Sequence, residues 1–255
     1  ELIDFWNFNS QYMAELYADQ PPYHPAGIWN LLEYRALEGF IFAVTPFNFS
    51  SIAGNLPTAP ALMGNVVLWK PASSAVYSAY FLMKLFEEAG LPKGVINFIP
   101  GRGSQVGPNV MKNPLLAGIH FTGSTEVFQE MWKTVGEKIM TYRGYPRIVG
   151  ETGGKDYIFI HESAELDETA TALVRGAFEY QGQKCSAASR AYVPDSIWPA
   201  LKEKYVEMVD RISMGDVEDF SHFMGAVIDR AAFESITSYI DFAAESNDAE
   251  IITGG

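Results

Sequence analysis

One cysteine, four scattered histidines and few cations are the scarce features of this 255-residue sequence. A single cysteine, Cys185, forms no internal disulfide, so no disulfide framework stands in for a core, and a reducing compartment is the expected setting. His24, His120, His161 and His222 lack ligand spacing, which argues against a structural metal site. Lys and Arg number 18 against 31 Asp and Glu, a net charge of -13 without a basic run, which disfavours nucleic-acid and anionic-membrane partners. No apolar run reaches membrane-spanning length, since Gly39–Phe47 and Leu62–Trp69 are only strand-length. No basic-then-apolar leader opens the sequence.

What is present is an alternation of short β-rich runs with helical periodicity. Strands are expected at Gly39–Val44, Val66–Trp69, Val95–Ile99, Gly118–Phe121, Ile148–Val149, Tyr157–Ile160, Ala191–Val193 and Ile251–Thr253. Helices are expected at Ala75–Ala89, Val106–Lys112, Thr125–Ile139, Asp167–Tyr180, Ile197–Ile212 and Ala231–Glu245. Ile52–Ala61 is a further candidate, with Pro57 and Pro60 restricting where its helix can begin. The pattern is that of an α/β protein with a parallel sheet covered by helices. Gly150–Gly154 interrupts two apolar runs and reads as the clearest internal boundary. Both ends look interior to a longer protein, with Asp4–Leu16 like the middle of a helix and a last strand left without its helix.

Ligands of parallel α/β sheets bind at the carboxyl ends of the strands, so the residues following each strand carry the functional reading. After the first strand, Thr45-Pro46-Phe47-Asn48 presents Asn48 on a turn, either as an Asx-turn residue or as an amide donor for a developing oxyanion. After the second, Lys70 is either a solvated lysine or an anion and ribose contact before a helix N-terminus. After the third, Gly101-Arg102-Gly103-Ser104-Gln105-Val106-Gly107 misses the dinucleotide fingerprint by one residue and reads as a simple loop. After the fourth, Thr122-Gly123-Ser124-Thr125 can cap a helix, carry a phosphate, or do both. Glu151, between glycines, suits a mobile general base as well as a loop salt bridge to Lys155 or Arg147. Cys185 lies in Gln181-Gly182-Gln183-Lys184-Cys185-Ser186, a polar turn after an apolar helix. It is either an exposed inert thiol or a nucleophile activated by a cation and backbone N–H groups.

In this order the motifs Pro46-Phe47-Asn48-Phe49, Lys70-Pro71, Phe121-Thr122-Gly123-Ser124, Glu151-Thr152-Gly153-Gly154-Lys155 and Gly182-Gln183-Lys184-Cys185 resemble the aldehyde dehydrogenase superfamily over nearly the whole sequence. The wording of Ala59–Val67, Pro146–Lys155 and Phe178–Ala187 is similar to the branch that oxidises glutamate γ-semialdehyde, the open form of 1-pyrroline-5-carboxylate, to glutamate in proline catabolism. The resemblance implies Cys185 as nucleophile, Asn48 as oxyanion donor and Glu151 as the base for thioester hydrolysis. It implies Thr45, Lys70, Gly123, Ser124, Thr125, Glu126 and Val127 along the cofactor, and Phe49, Phe178 and Ser186 at the aldehyde. The implied architecture is a Rossmann-like cofactor domain with the first part of an α/β catalytic domain, incomplete at both ends. Residues 1–38 would lead from an oligomerisation flap (Ile28–Arg35 resembling the joining piece), 39–153 form the cofactor-domain core, and 154–255 begin the catalytic domain. The implied cofactor is NAD; Ser73 stands where NAD-selective relatives carry Glu, and a serine would not repel the 2′-phosphate of NADP. The implied partners are a small aldehyde and further copies of the full-length protein (a dimer or larger), in a bacterial cytoplasm or mitochondrial matrix. The rival readings are a dehydrogenase of another semialdehyde, an inactive dinucleotide-binding fragment, and a thiol esterase, the last disfavoured by Lys70 and Gly123-Ser124.

Overall fold

Strands rich in Val, Ile and Phe and helices with apolar stripes assemble into two compact units, Glu1–Thr152 and Gly153–Gly255, in a computed structural model that describes residues 1–255. The first unit runs α1 (Leu2–Ala18), β1 (Phe40–Thr45), α2 (Ser50–Leu62), β2 (Val66–Pro71), α3 (Val76–Glu88), β3 (Ile96–Phe98), α4 (Gly103–Val110), β4 (Leu116–Gly123), α5 (Thr125–Glu137) and β5 (Arg147–Thr152). Its five strands form one all-parallel sheet in the order β3-β2-β1-β4-β5. Successive side chains of a strand face opposite sides, and both sides are covered. Ile41 and Ala43 join Val67, Trp69, Ala79 and Phe86 in one core, while Phe42 joins Leu116, Ile119, Phe121, Met131 and Val135 in the other. Phe42 and Trp69 are fully buried, each contributing roughly 1.5–3 kcal/mol relative to exposure.

The prolines do not end α2; the helix runs through Pro57 and Pro60. Pro60 has no N–H for the carbonyl of Leu56 one turn back. The ring Nδ1 of His120, on β4, lies 3.0 Å from that carbonyl. A carbonyl oxygen only accepts, so Nδ1 carries the proton. Burial pushes the imidazole pKa below its ordinary 6.5, outweighing the opposing hydrogen bond to Leu56.

β5 also departs from expectation. It continues through Gly150, Glu151 and Thr152, where a break was expected, because β4 pairs with it residue by residue: Phe121 with Gly150, Thr122 with Glu151, Gly123 with Thr152. Gly150 belongs in this strand for want of space. The Phe128 ring, stacked on Phe121 at 5.4 Å, lies against the β5 backbone, and a Cβ at Gly150 would come within 2.2 Å of it.

The second unit comprises β6 (Asp156–Phe159), α6 (Leu166–Phe178), β7 (Ala188–Tyr192), α7 (Trp198–Asp210) and α8 (Arg230–Glu245). β6 and β7 pair in parallel, and Ile160, Ala170, Leu173 and Leu201 make a small core. β7 starts three residues earlier than the apolar pattern suggested, its Asp156↔Ala188 pairing carrying it across polar Ser189 and Arg190. Ile251–Thr253 forms no strand. Its β-prone residues have no neighbouring strand to pair with, and the Thr253 hydroxyl donates instead to Asp210 Oδ1 at 2.7 Å. No helix is long and apolar enough to cross a membrane.

Candidate active site

The strand order of the first unit reverses between β1 and β4, the topological switch point where an open parallel sheet leaves a crevice beyond its carboxyl edge. That edge carries most of the polar residues singled out from the sequence. One row of paired positions crosses it: Lys70 on β2, Val44 on β1, Phe121 on β4 and Gly150 on β5. Glu151 is the next residue on β5, so Lys70 and Glu151 lie three strand spacings apart, about 14 Å at 4.7–4.9 Å per spacing.

Each residue on this edge has its own constraint. Lys70 is buried, its Nζ donating to the carbonyl of Pro71 at 2.8 Å, and desolvation lowers its pKa. Its stem runs beside Gly103, the first residue of α4, where a Cβ would stand 3.9 Å from Cε. Thr45 is only 2% exposed, and its hydroxyl accepts from the indole N–H of Trp69 at 3.0 Å. The Thr45 side chain is therefore committed inward. Asn48 is half-buried in the loop between Thr45 and Ser50, and Phe49 precedes α2 in an extended conformation. Glu151 is exposed.

At the start of α5, Ser124 is the N-cap and its hydroxyl accepts from Val127 N–H at 3.4 Å. The N–H groups of Thr125 and Glu126 precede any intrahelical acceptor and stay directed off the helix end. With the positive end of the helix dipole, they make a binding point for an anion. The exposed Glu126 carboxylate opposes that charge unless it turns away.

Sequence reasoning missed a depression of about 650 Å³ beside the ends of β2 and β3. Ser73, Ser74, Tyr77, Tyr80, Phe98 and Pro100 line it, and the Ser73 hydroxyl donates to the carbonyl of Gly101 at 3.2 Å. The available signal was aromatic: Tyr77 and Tyr80 open α3 directly after the Lys70 strand, and Tyr77 is 78% exposed.

The second unit holds Phe178, Cys185 and Ser186. Phe178 ends α6, and the chain then winds left-handed through Tyr180 (φ 54°) and Gln181 (φ 57°) before Gly182 (φ 66°). Left-handed backbone costs roughly 1–2 kcal/mol at each non-glycine residue, so this turn is strained. Half-buried Cys185 follows, with exposed Ser186 beside it. Lys184 Nζ lies 2.8 Å from Glu179 Oε2, and Arg175 lies 2.6 Å from Glu179 Oε1. These two donors lower the Glu179 pKa to about 2. No group of three or more His, Cys, Asp or Glu side chains is placed to hold a metal ion.

The structure thus gathers Thr45, Asn48, Lys70, Gly123–Val127 and Glu151 in one unit, and Phe178, Cys185 and Ser186 in the other. Comparison with known proteins relates both. A model of the aldehyde dehydrogenase family matches residues 1–255. The mitochondrial delta-1-pyrroline-5-carboxylate dehydrogenase of Dictyostelium discoideum is 54% identical over 100% of this chain and 46% of its own length, and the human mitochondrial enzyme of that name is 46% identical over 100% and 45%. The Mycobacterium tuberculosis delta-pyrroline-5-carboxylate dehydrogenase, in a crystal structure bound with NAD and cobalamin, superposes with a TM-score of 0.96 at 49% identity, covering 100% of this chain and 48% of that one. The chain spans about half the length of the curated relatives it matches.

Proposed function

This chain belongs to the aldehyde dehydrogenase family, and from that premise we propose that the full-length protein oxidises glutamate γ-semialdehyde to glutamate with NAD. Relatives bearing the name of that activity are about half identical along the whole chain, and related crystal structures carry NAD. The observation that most supports a dinucleotide is the carboxyl edge of the sheet. It aligns a buried lysine, the unspent N–H groups of α5 and a carboxylate on one line of strands.

The first unit suits the cofactor. Lys70 would hold the adenosine ribose, the N–H groups of Thr125 and Glu126 the pyrophosphate, and the Ser73–Tyr77 depression the adenine, with Gly123, Ser124 and Val127 lining the path and Thr45 reaching it through its main chain. NAD supplies the hydride acceptor. Ser73 is neutral and would not repel the 2′-phosphate of NADP, so both dinucleotides are assayed.

The protein's own groups perform the rest. The Cys185 thiolate attacks the aldehyde carbon, forming a C–S bond and an alkoxide. The Asn48 side-chain amide and the Cys185 backbone N–H donate to that oxygen. The oxygen's electron pair re-forms the carbonyl as hydride leaves, giving a thioester. Glu151 takes a proton from water, and the hydroxide displaces the thiolate, releasing the acid. Phe49 and Phe178 wall the aldehyde, and Ser186 donates to it. The proposed assembly is a homo-oligomer, in a mitochondrial matrix or bacterial cytoplasm.

The test follows NADH production by the full-length protein with pyrroline-5-carboxylate, succinic semialdehyde and short aliphatic aldehydes, each with NAD and NADP. Highest kcat/KM for pyrroline-5-carboxylate is expected. Preference for another aldehyde removes the substrate assignment, and no NADH from any of them overturns the dehydrogenase reading.

A further inference from the structure

The left-handed turn before Cys185 is held from outside itself. The Gln181 side chain donates from Nε2 to the carbonyl of Ala226 at 2.9 Å and accepts through Oε1 from Gly225 N–H at 3.2 Å. Two residues on, Gln183 Oε1 accepts from Ile228 N–H at 2.8 Å. Three side-chain bonds therefore reach from the turn to a backbone segment 44–45 residues downstream. That segment is itself tied back: Met224 bridges Met214, Gly215 N–H donates to the Met224 carbonyl at 3.2 Å, and Phe223 N–H donates to Ser213 at 3.1 Å. Tyr180 and Gln181 sit in backbone conformations that L-residues avoid, so the surrounding structure must over-determine them.

We propose that Gln181 and Gln183 are positioning residues that fix the Cys185 turn against the Gly225–Ile228 segment, which serves as its buttress. The inference rests on the reading of Cys185 as the nucleophile. Both amides bind main chain at the buttress, so they act on the thiol through the backbone that carries it. Holding a nucleophile within a fraction of an ångström of its attack geometry is worth much of the rate, and a slack turn forfeits it.

The test uses the full-length protein with Gln181→Asn and Gln181→Met. Asparagine accepts left-handed backbone readily but is one methylene too short to span Gly225 and Ala226; methionine has the length but cannot hydrogen-bond. Both are expected to lower kcat on the order of 10²-fold, with KM for NAD unchanged. Both should also change the pH-dependent rate at which iodoacetamide alkylates Cys185, mapped by mass spectrometry, and speed amide exchange at Gly225. Full kcat in Gln181→Asn would mean that backbone preference alone places the turn, which overturns the clamp. A lowered melting temperature with unchanged kcat per folded molecule overturns it too. Should Gln181→Met not fold, Gln183→Met, which loses the Ile228 bond and the longer 3.5 Å bond from Nε2 to the Tyr180 carbonyl, is expected to move the same readouts less far, and no movement there overturns the proposal. Alkylation and exchange need no turnover. If the parent makes no NADH, they still decide the clamp, while the dehydrogenase reading fails by itself.

Discussion

The backbone N–H of Gly154 donates to the carbonyl oxygen of Cys185 at 3.1 Å. The proposed nucleophile is thus tethered from a second direction, by a residue three positions beyond Glu151. The approach is close enough to exclude a side chain: a Cβ on Gly154 would lie 2.9 Å from that oxygen and 2.4 Å from Asp156 Oδ2.

Gly154→Ala is therefore expected to destabilise by about 1–3 kcal/mol, the range for overpacking, and to displace the Cys185 turn. Gly153→Ala is the control, since nothing lies within 4 Å of its added Cβ. The check is a melting temperature and a kcat for each. Equal behaviour of the two variants would show that the Gly154–Cys185 contact does not constrain the turn.

The Pro60–His120 arrangement predicts a compensation. His120→Leu removes the partner of the Leu56 carbonyl and is expected to cost about 1–3 kcal/mol, the cost of stranding a buried acceptor. Pro60→Ala restores the N–H that an α-helix would supply to that carbonyl, so the double variant should recover part of the loss in a urea-unfolding cycle. The pH dependence follows from the lowered imidazole pKa. Below 6.5 the unfolded chain takes up the proton before the folded one, so stability is complete above 6.5 and falls as pH drops toward the depressed native value. The part of that loss owed to His120 should vanish in His120→Leu.

The fold class was legible because a doubly covered parallel sheet writes itself as continuous apolar runs, such as Phe40–Val44 and Val66–Trp69, separated by helical stripes. Its errors came from residues whose behaviour depends on a distant partner. Gly150-Glu151-Thr152 look like a loop until β4 lies beside them, and Ile251–Thr253 look like a strand that no neighbour completes. The polar residues at the strand ends were legible because the fold fixes where strands end. The buttress under Cys185 was not, since nothing in Gln181 announces Gly225, 44 residues away.

Glu179 is expected to titrate near 2, checked by carbon-13 NMR of its carboxyl group. The Lys184 and Arg175 hydrogen bonds hold its charged form. Its stabilising effect is present above the ordinary carboxylate value of 4.5 and fades as pH falls from 4.5 toward 2. The carboxylate is 39% exposed, so water screens the pair and the effect should stay under about 1 kcal/mol. Glu179→Gln leaves the Lys184 cation beside Cys185 without its counter-charge. Alkylation of the thiol should then shift to lower pH, and an unchanged alkylation profile would show that Lys184 does not act on the thiolate.

Glu151→Gln separates the two halves of the proposed reaction. Glutamine keeps the shape and the β5 pairing with Thr122 but cannot take a proton. Thiolate attack and hydride departure do not call on Glu151, whereas water attack on the thioester does. Rapid mixing with pyrroline-5-carboxylate and NAD should give a burst of about one NADH per site, as expected when an acyl-enzyme accumulates. A steady rate lowered by about 10²–10⁴-fold, the usual contribution of a positioned base, should follow. Loss of the burst as well would move Glu151 to the thiol-activating step. An unchanged steady rate would remove it from the reaction.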